Sequence, residues 1–309
     1  MVDLKSFGRK EIKIAPGHRL CPGCAAPIIS KLVLLASSDY DVVVGTATGC
    51  LEVSTTIYPY TAWKVPWIHN AFENVAATIS GVETAYRALK KKGKINKNIK
   101  FIAIGGDGGT YDIGLQSLSG ALERGHNFLY VCYDNEGYMN TGIQRSSATP
   151  IGASTTTDPA GIARPGKLEF RKDLTAIVAA HHIPYVAQAS IHNLNDFLIK
   201  VKTAIETEGP SFINVLSPCI LGWGYDSSQT IELAKLAVET CFWPLYEVKN
   251  DEWILNYDPS DNKKPVVEFM KLQKRFKHLF KPENEWVLKR AQEEVDKRWT
   301  WLKRMCSKE

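Results

Sequence analysis

The stretch FIAIGGDGGTYDIGLQSLSGAL, residues 101–122, decides the fold of this 309-residue chain. Its first six residues are apolar or small, as in a buried strand, and helical spacing of apolar residues follows at 114–124. The glycine-rich turn GDGG lies between the two patterns. Glycine lets backbone N–H groups approach a ligand closely. A strand, this turn and a helix in that order predict an anion-binding crevice at the carboxyl end of a strand.

The alternation of strands and helices continues on both sides of this stretch. Further strand-like runs occupy 41–46, 128–134, 184–190 and 212–217, and helical spacing occupies 28–37, 71–91, 174–182 and 194–206. Apolar runs of this kind are typical of parallel sheets covered on both faces. They predict an α/β fold with a doubly wound, mostly parallel sheet over roughly residues 15–220, in a first domain of residues 1–220.

Residues 221–309 are predicted to form a C-terminal extension. A helical stretch at 231–242 and a strand-like piece at 253–258 precede a polar break, PSDNKKP, and then a basic helical tail. Residues 262–309 hold 14 Lys and Arg against 7 Asp and Glu, whereas the first 261 residues carry a formal charge of −2. The positive excess therefore belongs to the tail. The irregular stretch 140–172 is long enough to predict a functional or disordered loop.

The composition argues against several classes of protein. A near-neutral body lacks the basic face that nucleic acid requires. The longest uncharged apolar runs, such as LVLLA (33–37), fall far short of the roughly 20 residues that cross a bilayer. The amino terminus has no apolar segment behind its charges, so no secretory signal is expected and a cytoplasmic location is predicted.

Two oxygen-bearing side chains follow predicted strands. Asp107 follows the strand at 101–106, and Asn135 lies 28 residues later, after the strand at 128–134. If these strands are neighbours, a carboxylate, an amide oxygen and a nearby carbonyl form a donor set suited to Mg²⁺. A helix predicted to begin near Tyr111 adds its N-terminal dipole to the anion site. GDG followed by Asn at this distance resembles the thiamine diphosphate signature, and the alternative is a strand-to-helix turn with a solvated Asp107.

Cysteine forms the second constellation. Cys21 and Cys24 form a C-x-x-C pair at a predicted helix start, and Cys50 and Cys219 each follow a predicted strand. Four thiolates suit an iron–sulfur cluster or a zinc ion, and a redox-active pair or unliganded thiols remain open. The other cysteines, which are Cys132, Cys241 and Cys306, are interpreted as buried or incidental thiols.

Six segments together resemble the beta subunit of pyruvate:ferredoxin oxidoreductase and its close relatives. The segments are HRLCPGC (18–24), TGCLEV (48–53), YPYTAWKVPWIHNAFENVAA (58–77), GDGGTYDIGLQSLSGALERGHN (106–127), YDNEGYMNTGIQRSSATP (133–150) and LQKRFKHLF (272–280). The resemblance covers almost the whole chain. It implies the diphosphate-binding domain of the thiamine diphosphate-binding fold and three cofactors: thiamine diphosphate, Mg²⁺ and a 4Fe-4S cluster.

The resemblance also implies roles for particular residues. Asp107, Asn135 and the carbonyl of Gly137 match the Mg²⁺ ligands. Cofactor-binding positions are Gly106, Asp107, Gly108, Gly109, Asn135, Gly137, Asn140 and Thr141, with Asn140 as the catalytic amide. Cys21, Cys24, Cys50 and Cys219 match the cluster ligands. No roles follow for His69, Phe72, Glu73 and Asn74, although they lie in a family motif; a hydrogen-bonded structural role is one interpretation of His69.

The chain departs from the family pattern at a few positions. Ala25 and Ala26 replace a glycine, Tyr111 replaces a small apolar residue, and Gly137 replaces alanine. None of these changes removes a ligand. Those beside the diphosphate turn and Asn135 are expected to reshape the pocket, so the exact substrate is left open.

The implied activity is thiamine diphosphate-dependent oxidative decarboxylation of a small 2-oxoacid, with one-electron transfer through the cluster to ferredoxin. Pyruvate with coenzyme A, giving acetyl-CoA and CO₂, is the default substrate. Oxalate without coenzyme A, and branched or aryl 2-oxoacids, are alternatives. A zinc-bearing, non-redox scaffold is the alternative from a different class.

One sheet of this size does not contain the pyrimidine-binding domain that supplies an activating glutamate, and no further cluster motif occurs. The chain is therefore expected to act with alpha-, gamma- and delta-type subunits that carry that domain and further clusters. The tail is predicted to pack on a partner subunit through Phe269, Phe276, Phe280, Trp286 and Trp299. A solvated helix and attraction of acidic ferredoxin are the other interpretations of the tail.

Overall fold

The computed structural model describes residues 4–307, and within them helices cover both faces of an eight-stranded sheet. The helices are α1 Leu4–Gly8, α2 Ala25–Ala36, α3 Cys50–Thr55, α4 Val75–Lys91, α5 Leu115–Glu123, α6 Leu174–Ala179, α7 Leu194–Glu206, α8 Thr230–Glu239, α9 Val267–Met270 and α10 Glu285–Cys306. The strands are β1 Asp41–Ala47, β2 Trp67–Asn70, β3 Ile99–Gly106, β4 Leu129–Asp134, β5 Tyr185–Ser190, β6 Ser211–Leu216, β7 Tyr246–Lys249 and β8 Glu252–Leu255. No helix in residues 4–307 has the length and apolar character needed to cross a membrane.

The strand order is β2-β1-β3-β4-β6-β5-β7-β8. Every pairing from β2 to β5 along this order is parallel, and β7 and β8 add an antiparallel edge. The predicted α/β, doubly wound, mostly parallel sheet is confirmed. Because β3 pairs with β4, the residues that follow these two strands meet at one edge of the sheet.

Side chains of the central strands alternate between two apolar cores. In β3, Phe101 and Ala103 pack into the core that contains α4 and α5, whereas Ile102 and Ile104 pack into the core that contains α2 and α7. Successive residues of a strand point to opposite faces, so a strand buried on both faces has apolar residues at every position. This explains why FIAIGG contains no polar residue.

Some elements differ from the sequence prediction. The short strands β2 and β7 are not predicted, because four residues carry too little pattern. The helix predicted to begin near Tyr111 is wrong in its start: helical backbone begins at Gly108 with a wide π-type turn, Gly108–Ile113, and α5 begins at Leu115. The loop 140–172 is irregular as predicted, but many of its residues are buried.

The C-terminal extension packs on the sheet through most of the aromatic residues that were predicted to contact a partner. Phe269 and Phe276 are fully buried in the chain's own core, and Trp299 is 6% exposed. For these three the partner-contact prediction is wrong, because α9, the turn after it and α10 all pack their apolar side chains into that core. Phe280 and Trp286 remain 45% and 44% exposed. The domain boundary at residue 220 stays a prediction.

Candidate cofactor and metal site

Four neighbouring strands place the predicted site residues at one edge of the sheet. The strands β1, β3, β4 and β6 lie side by side, and Cys50, Asp107, Asn135 and Cys219 follow their carboxyl ends. Open α/β sheets bind ligands at this edge, where successive loops diverge. The arrangement therefore places the predicted Mg²⁺ ligands and two of the predicted cluster cysteines at the same end of the sheet.

All of the predicted cofactor-binding residues line one cleft of about 320 Å³, part of it open to solvent. They are Gly106, Asp107, Gly108, Gly109, Asn135, Gly137, Asn140 and Thr141. Cys50 lines the same cleft. Asn140 and Thr141 are exposed, whereas Asp107 is fully buried at the base.

Three polar groups converge in this cleft. The end of the Asn135 side-chain amide lies 2.8 Å from the carbonyl oxygen of Gly137 and 2.8 Å from Asp107 Oδ1, where an amide nitrogen donates to both oxygens. With the amide turned over, its oxygen takes that place and three oxygens face one another, an arrangement that needs a cation. Adjacent ligands of octahedral Mg²⁺ at 2.0–2.1 Å are roughly 3 Å apart, which matches this spacing. The donor set therefore fits Mg²⁺.

Burial disfavours the charged form of the Asp107 carboxylate. Loss of hydration raises its pKa well above the usual range, and the nearby charge of Asp134 raises it further. Opposing these effects, Ser146 Oγ donates to Asp107 Oδ2 at 2.6 Å and the Asn135 N–H donates to Oδ1 at 3.1 Å. Ser146 lies in the irregular loop, and its role was missed because its neighbours in sequence show no periodic pattern. A bound cation would stabilise the charged form.

The glycines of the turn leave room that a side chain would fill. A Cβ atom at Gly108 would lie 2.4 Å from the Tyr138 ring, and one at Gly109 would lie 2.7 Å from the carbonyl oxygen of Phe72. The Tyr138 hydroxyl donates to the Gly108 carbonyl oxygen at 2.9 Å. These contacts hold the turn against the opposite wall of the cleft.

The predicted cluster cysteines lie near one another. Burial, together with the charges of the other cysteines, raises the pKa of Cys24 and of Cys50 to about 12. Burial also raises the pKa of Cys219, and Cys21 adds to that rise. The thiols of Cys24, Cys50 and Cys219 are thus protonated at neutral pH, and a metal that binds them must displace protons.

The donor spacing distinguishes kinds of metal site. Across residues 4–307, no three side chains of His, Cys, Asp or Glu converge closely enough to hold a single metal ion. A tetrahedral zinc site at 2.3 Å requires sulfur atoms roughly 4 Å apart. Ligands of a cubane cluster each bind a different iron, so they lie farther apart. Four cysteines that lie near one another are the kind of ligands that a 4Fe-4S cluster would use.

The family-motif residues surround the cleft without forming its base. Phe72 lines the cleft, and Asn74 is the N-cap residue of α4. His69 lies on β2 and is exposed, and its Nδ1 is 2.9 Å from the buried Glu52 carboxylate. The predicted hydrogen-bonded role of His69 agrees with this contact, although His69 lies on a strand rather than at a helix start.

Tyr111 does not line the cleft. Its side chain is buried on the other side of the turn, where its hydroxyl donates to Asp134 Oδ2 at 2.5 Å. The hydroxyl also accepts from Arg171 Nη2 at 3.0 Å and from Asn214 Nδ2 at 2.7 Å. Tyr111 thus belongs to a polar network behind the site. Its partners come from distant segments, so no local pattern revealed it.

Fold and site together define a thiamine diphosphate-binding domain. The family model for the C-terminal, thiamine pyrophosphate-binding domain of thiamine pyrophosphate enzymes matches residues 46–215. A solved structure of 2-oxoglutarate:ferredoxin oxidoreductase from Magnetococcus marinus shares the fold, with a TM-score of 0.56 and 20% identity over 72% of this chain and 79% of that chain.

Curated relatives identify the family more closely. The chain is 58% identical to pyruvate synthase subunit PorB of Thermotoga maritima over 96% of this chain and 93% of the relative. It is 58% identical to PorB of Methanocaldococcus jannaschii over 88% and 91%, and 45% identical to ketoisovalerate oxidoreductase subunit VorB of Pyrococcus abyssi over 94% and 92%. The chain belongs to the beta-type, thiamine diphosphate-binding subunits of 2-oxoacid:ferredoxin oxidoreductases, which confirms the predicted family.

Proposed function

We propose that this subunit binds thiamine diphosphate, Mg²⁺ and a 4Fe-4S cluster and oxidatively decarboxylates pyruvate to acetyl-CoA and CO₂, with ferredoxin as electron acceptor. The close approach of the Asp107 carboxylate, the Asn135 side-chain amide and the Gly137 carbonyl oxygen carries this proposal. When bound, thiamine diphosphate supplies the electron sink for loss of CO₂, and the cluster takes the released electrons singly.

The chain's own residues have distinct tasks in this proposal. Asp107, Asn135 and the Gly137 carbonyl hold Mg²⁺, which neutralises the diphosphate. The turn at Gly106, Gly108 and Gly109 admits the diphosphate to the backbone. Asn140 and Thr141, exposed at the rim, face the reacting end of the cofactor, and Asn140 acts there as the catalytic amide.

Cluster ligation by Cys21, Cys24, Cys50 and Cys219 is supported by their mutual effect on pKa and by the position of Cys50. Because Cys50 lines the cofactor cleft, electrons need only a short path from cofactor to cluster. Membership of an oxidoreductase family favours this assignment over a zinc scaffold. A zinc-bearing chain would be colourless, whereas a cluster gives a brown protein with a broad band near 400 nm.

Pyruvate is favoured as the substrate because two pyruvate synthase subunits at 58% identity are more similar to this chain than a ketoisovalerate oxidoreductase subunit at 45%. Reduction of ferredoxin by the assembled enzyme, measured with each 2-oxoacid with and without coenzyme A, tests the choice. Activity with oxalate in the absence of coenzyme A would instead support the oxalate alternative. The subunit alone is expected to be inactive, because it lacks the activating glutamate.

The metal assignment is tested by Asp107→Asn in the assembled enzyme. The substitution keeps the shape of the side chain and removes the charge that Mg²⁺ requires, so affinity for thiamine diphosphate in the presence of Mg²⁺ should fall at least about 100-fold. Asp261→Asn, at an exposed carboxylate, is the matched control and should bind as wild type does. Equal binding by both variants would contradict the assignment.

A further inference from the structure

The loop that holds two of the three converging polar groups has an unusual backbone. Glu136 lies between Asn135 and Gly137 and has a φ of +66°, which few residues other than glycine adopt. The conformation of Glu136 determines the relative orientation of the two residues on either side. A residue held in this region needs support from its surroundings.

Glu136 is held at every polar atom. Its N–H donates to Asp134 Oδ1 at 3.0 Å, and its carbonyl oxygen accepts from Thr149 Oγ1 at 2.7 Å. Its carboxylate accepts from Arg171 Nη1 at 2.8 Å and from Arg275 Nη2 at 2.5 Å. The side chain is fully buried. These contacts account for the left-handed conformation.

The buried charges balance only when Arg275 is present. Asp134 and Glu136 carry negative charge, and Arg171 bonds to both. Arg275 supplies the second positive charge and is 6% exposed. Removing one partner of a buried ion pair leaves an uncompensated charge at a cost of several kcal/mol. Loss of Arg275 would therefore release Glu136 from the conformation that orients Asn135 and Gly137.

Arg275 also reaches the turn that follows Cys219. Its guanidinium carbon lies 4.1 Å from the centre of the Trp223 ring. The Trp223 indole N–H donates to the Asn135 carbonyl oxygen at 2.8 Å, and its backbone N–H donates to the Cys219 carbonyl oxygen at 2.9 Å. One cation thus contacts the metal loop through Glu136 and the turn that begins at Cys219 through Trp223.

We propose that Arg275 is a positioning residue that couples the two cofactor sites. It holds the metal loop through Glu136, and it acts on the cluster through Trp223 and through its own charge near Cys219. The inference rests on the proposed function, since it assigns a cluster to Cys219. Through Arg275, the C-terminal extension contributes to the cofactor site at the carboxyl ends of the strands.

The test uses Arg275→Met in the assembled enzyme, with Arg298→Met as control. Arg298 also pairs with a carboxylate of the body, Asp173, at 2.6 Å. For Arg275→Met we expect thiamine diphosphate to bind at least about 10-fold more weakly with Mg²⁺, and the midpoint potential of the cluster to become more negative, because a nearby positive charge favours the reduced form. The control should leave both properties unchanged.

Arg275→Lys separates the two effects. The lysine keeps the charge and should restore the potential, but affinity should stay weakened because one ammonium nitrogen lacks the planar fork with which Arg275 bonds to Glu136 through Nη2 and to Gln273 through Nε, the latter at 2.9 Å. Unchanged affinity or an unchanged potential in Arg275→Met would overturn the coupling. If that variant does not assemble, wild-type affinity in Arg275→Lys would overturn it. A wild-type enzyme without thiamine diphosphate or a cluster would instead contradict the proposed function.

Discussion

Because Gly108 has no Cβ atom, the turn can lie close to Tyr138 beside the cofactor cleft. Gly108→Ala would place a Cβ atom 2.4 Å from the Tyr138 ring, so either the ring or the turn must move. We expect a loss of about 1–3 kcal/mol in the free energy of unfolding and at least about 10-fold weaker binding of thiamine diphosphate. Urea denaturation and equilibrium binding measure the two effects.

A second glycine provides the control for this substitution. Gly81 lies within α4, and a Cβ atom there meets nothing within 4 Å. Gly81→Ala should stabilise the protein by roughly 0.5–1 kcal/mol, because alanine favours helix, and should leave cofactor binding unchanged. Equal effects of the two substitutions would show that close contact at Gly108 is unimportant.

Lys167 gives the protein a pH-dependent stability. Its amine is fully buried and donates to the Thr149 carbonyl oxygen, and burial lowers its pKa from 10.5 to about 8. Between these values the unfolded chain binds more protons than the folded chain, so the contribution of Lys167 to stability increases as pH rises. Lys167→Met lacks this increase.

The measurement for Lys167 is a difference between two proteins. From pH 7 to pH 9.5 the unfolding free energy of wild type should rise relative to Lys167→Met by up to roughly 2 kcal/mol, as urea denaturation would measure. Other titrating groups are common to both proteins and cancel. A difference that stays constant with pH would show that the amine keeps its ordinary pKa in the fold.

At the scale of elements, helix α10 carries one tryptophan that is buried, Trp299, and another that is exposed, Trp286. Trp299 is 6% exposed in the core, so Trp299→Ala should cost about 3 kcal/mol of unfolding free energy. Trp286 is 44% exposed, so Trp286→Ala should cost less than about 1 kcal/mol and should weaken subunit assembly. Thermal unfolding and size-exclusion chromatography check these outcomes. Similar stability loss in both variants would contradict the assigned packing of α10.

A strand or helix can be placed from the sequence alone only where its residue pattern fits a single environment. Runs such as FIAIGG indicate buried strands because burial on both faces demands apolar residues throughout, and these predictions are confirmed. The apolar residues of the C-terminal tail predict a packed face, but such a face suits either a partner subunit or the chain's own sheet. Phe269, Phe276 and Trp299 were assigned to a partner for this reason. Truncation after Pro259 would thus remove core residues rather than a separable tail.

Residues of the candidate site could be predicted where each one lies directly beside a recognisable sequence pattern. Asp107 and Asn135 each follow a recognisable strand, so their meeting required only that those strands be neighbours. Glu136 and Arg275 are 139 residues apart, and no periodicity relates them. Long-range pairs of this kind depend on the complete packing of the chain, which a single sequence does not show.

At the scale of the whole molecule, the formal charge of +5 arises from an excess of positive charge after residue 261. Lys289, Lys297 and Arg304 are exposed on α10, and at about 100° per residue they lie within roughly 80° of one another. Replacing all three by Gln should slow electron transfer to ferredoxin at low salt and weaken its salt dependence, without loss of stability. Stopped-flow reduction of ferredoxin at several ionic strengths tests this. An unchanged salt dependence would assign the attraction to another surface.

The ion pair between Glu136 and Arg275 has a consequence for biosynthesis. A ribosome adds about 5–20 residues per second, so Glu136 is made roughly 7 to 28 s before Arg275. During that interval the nascent chain contains the metal loop without the guanidinium group that locks it. Under the proposed function, metal and cofactor are therefore expected to bind only after Arg275 has been made and has packed against Glu136.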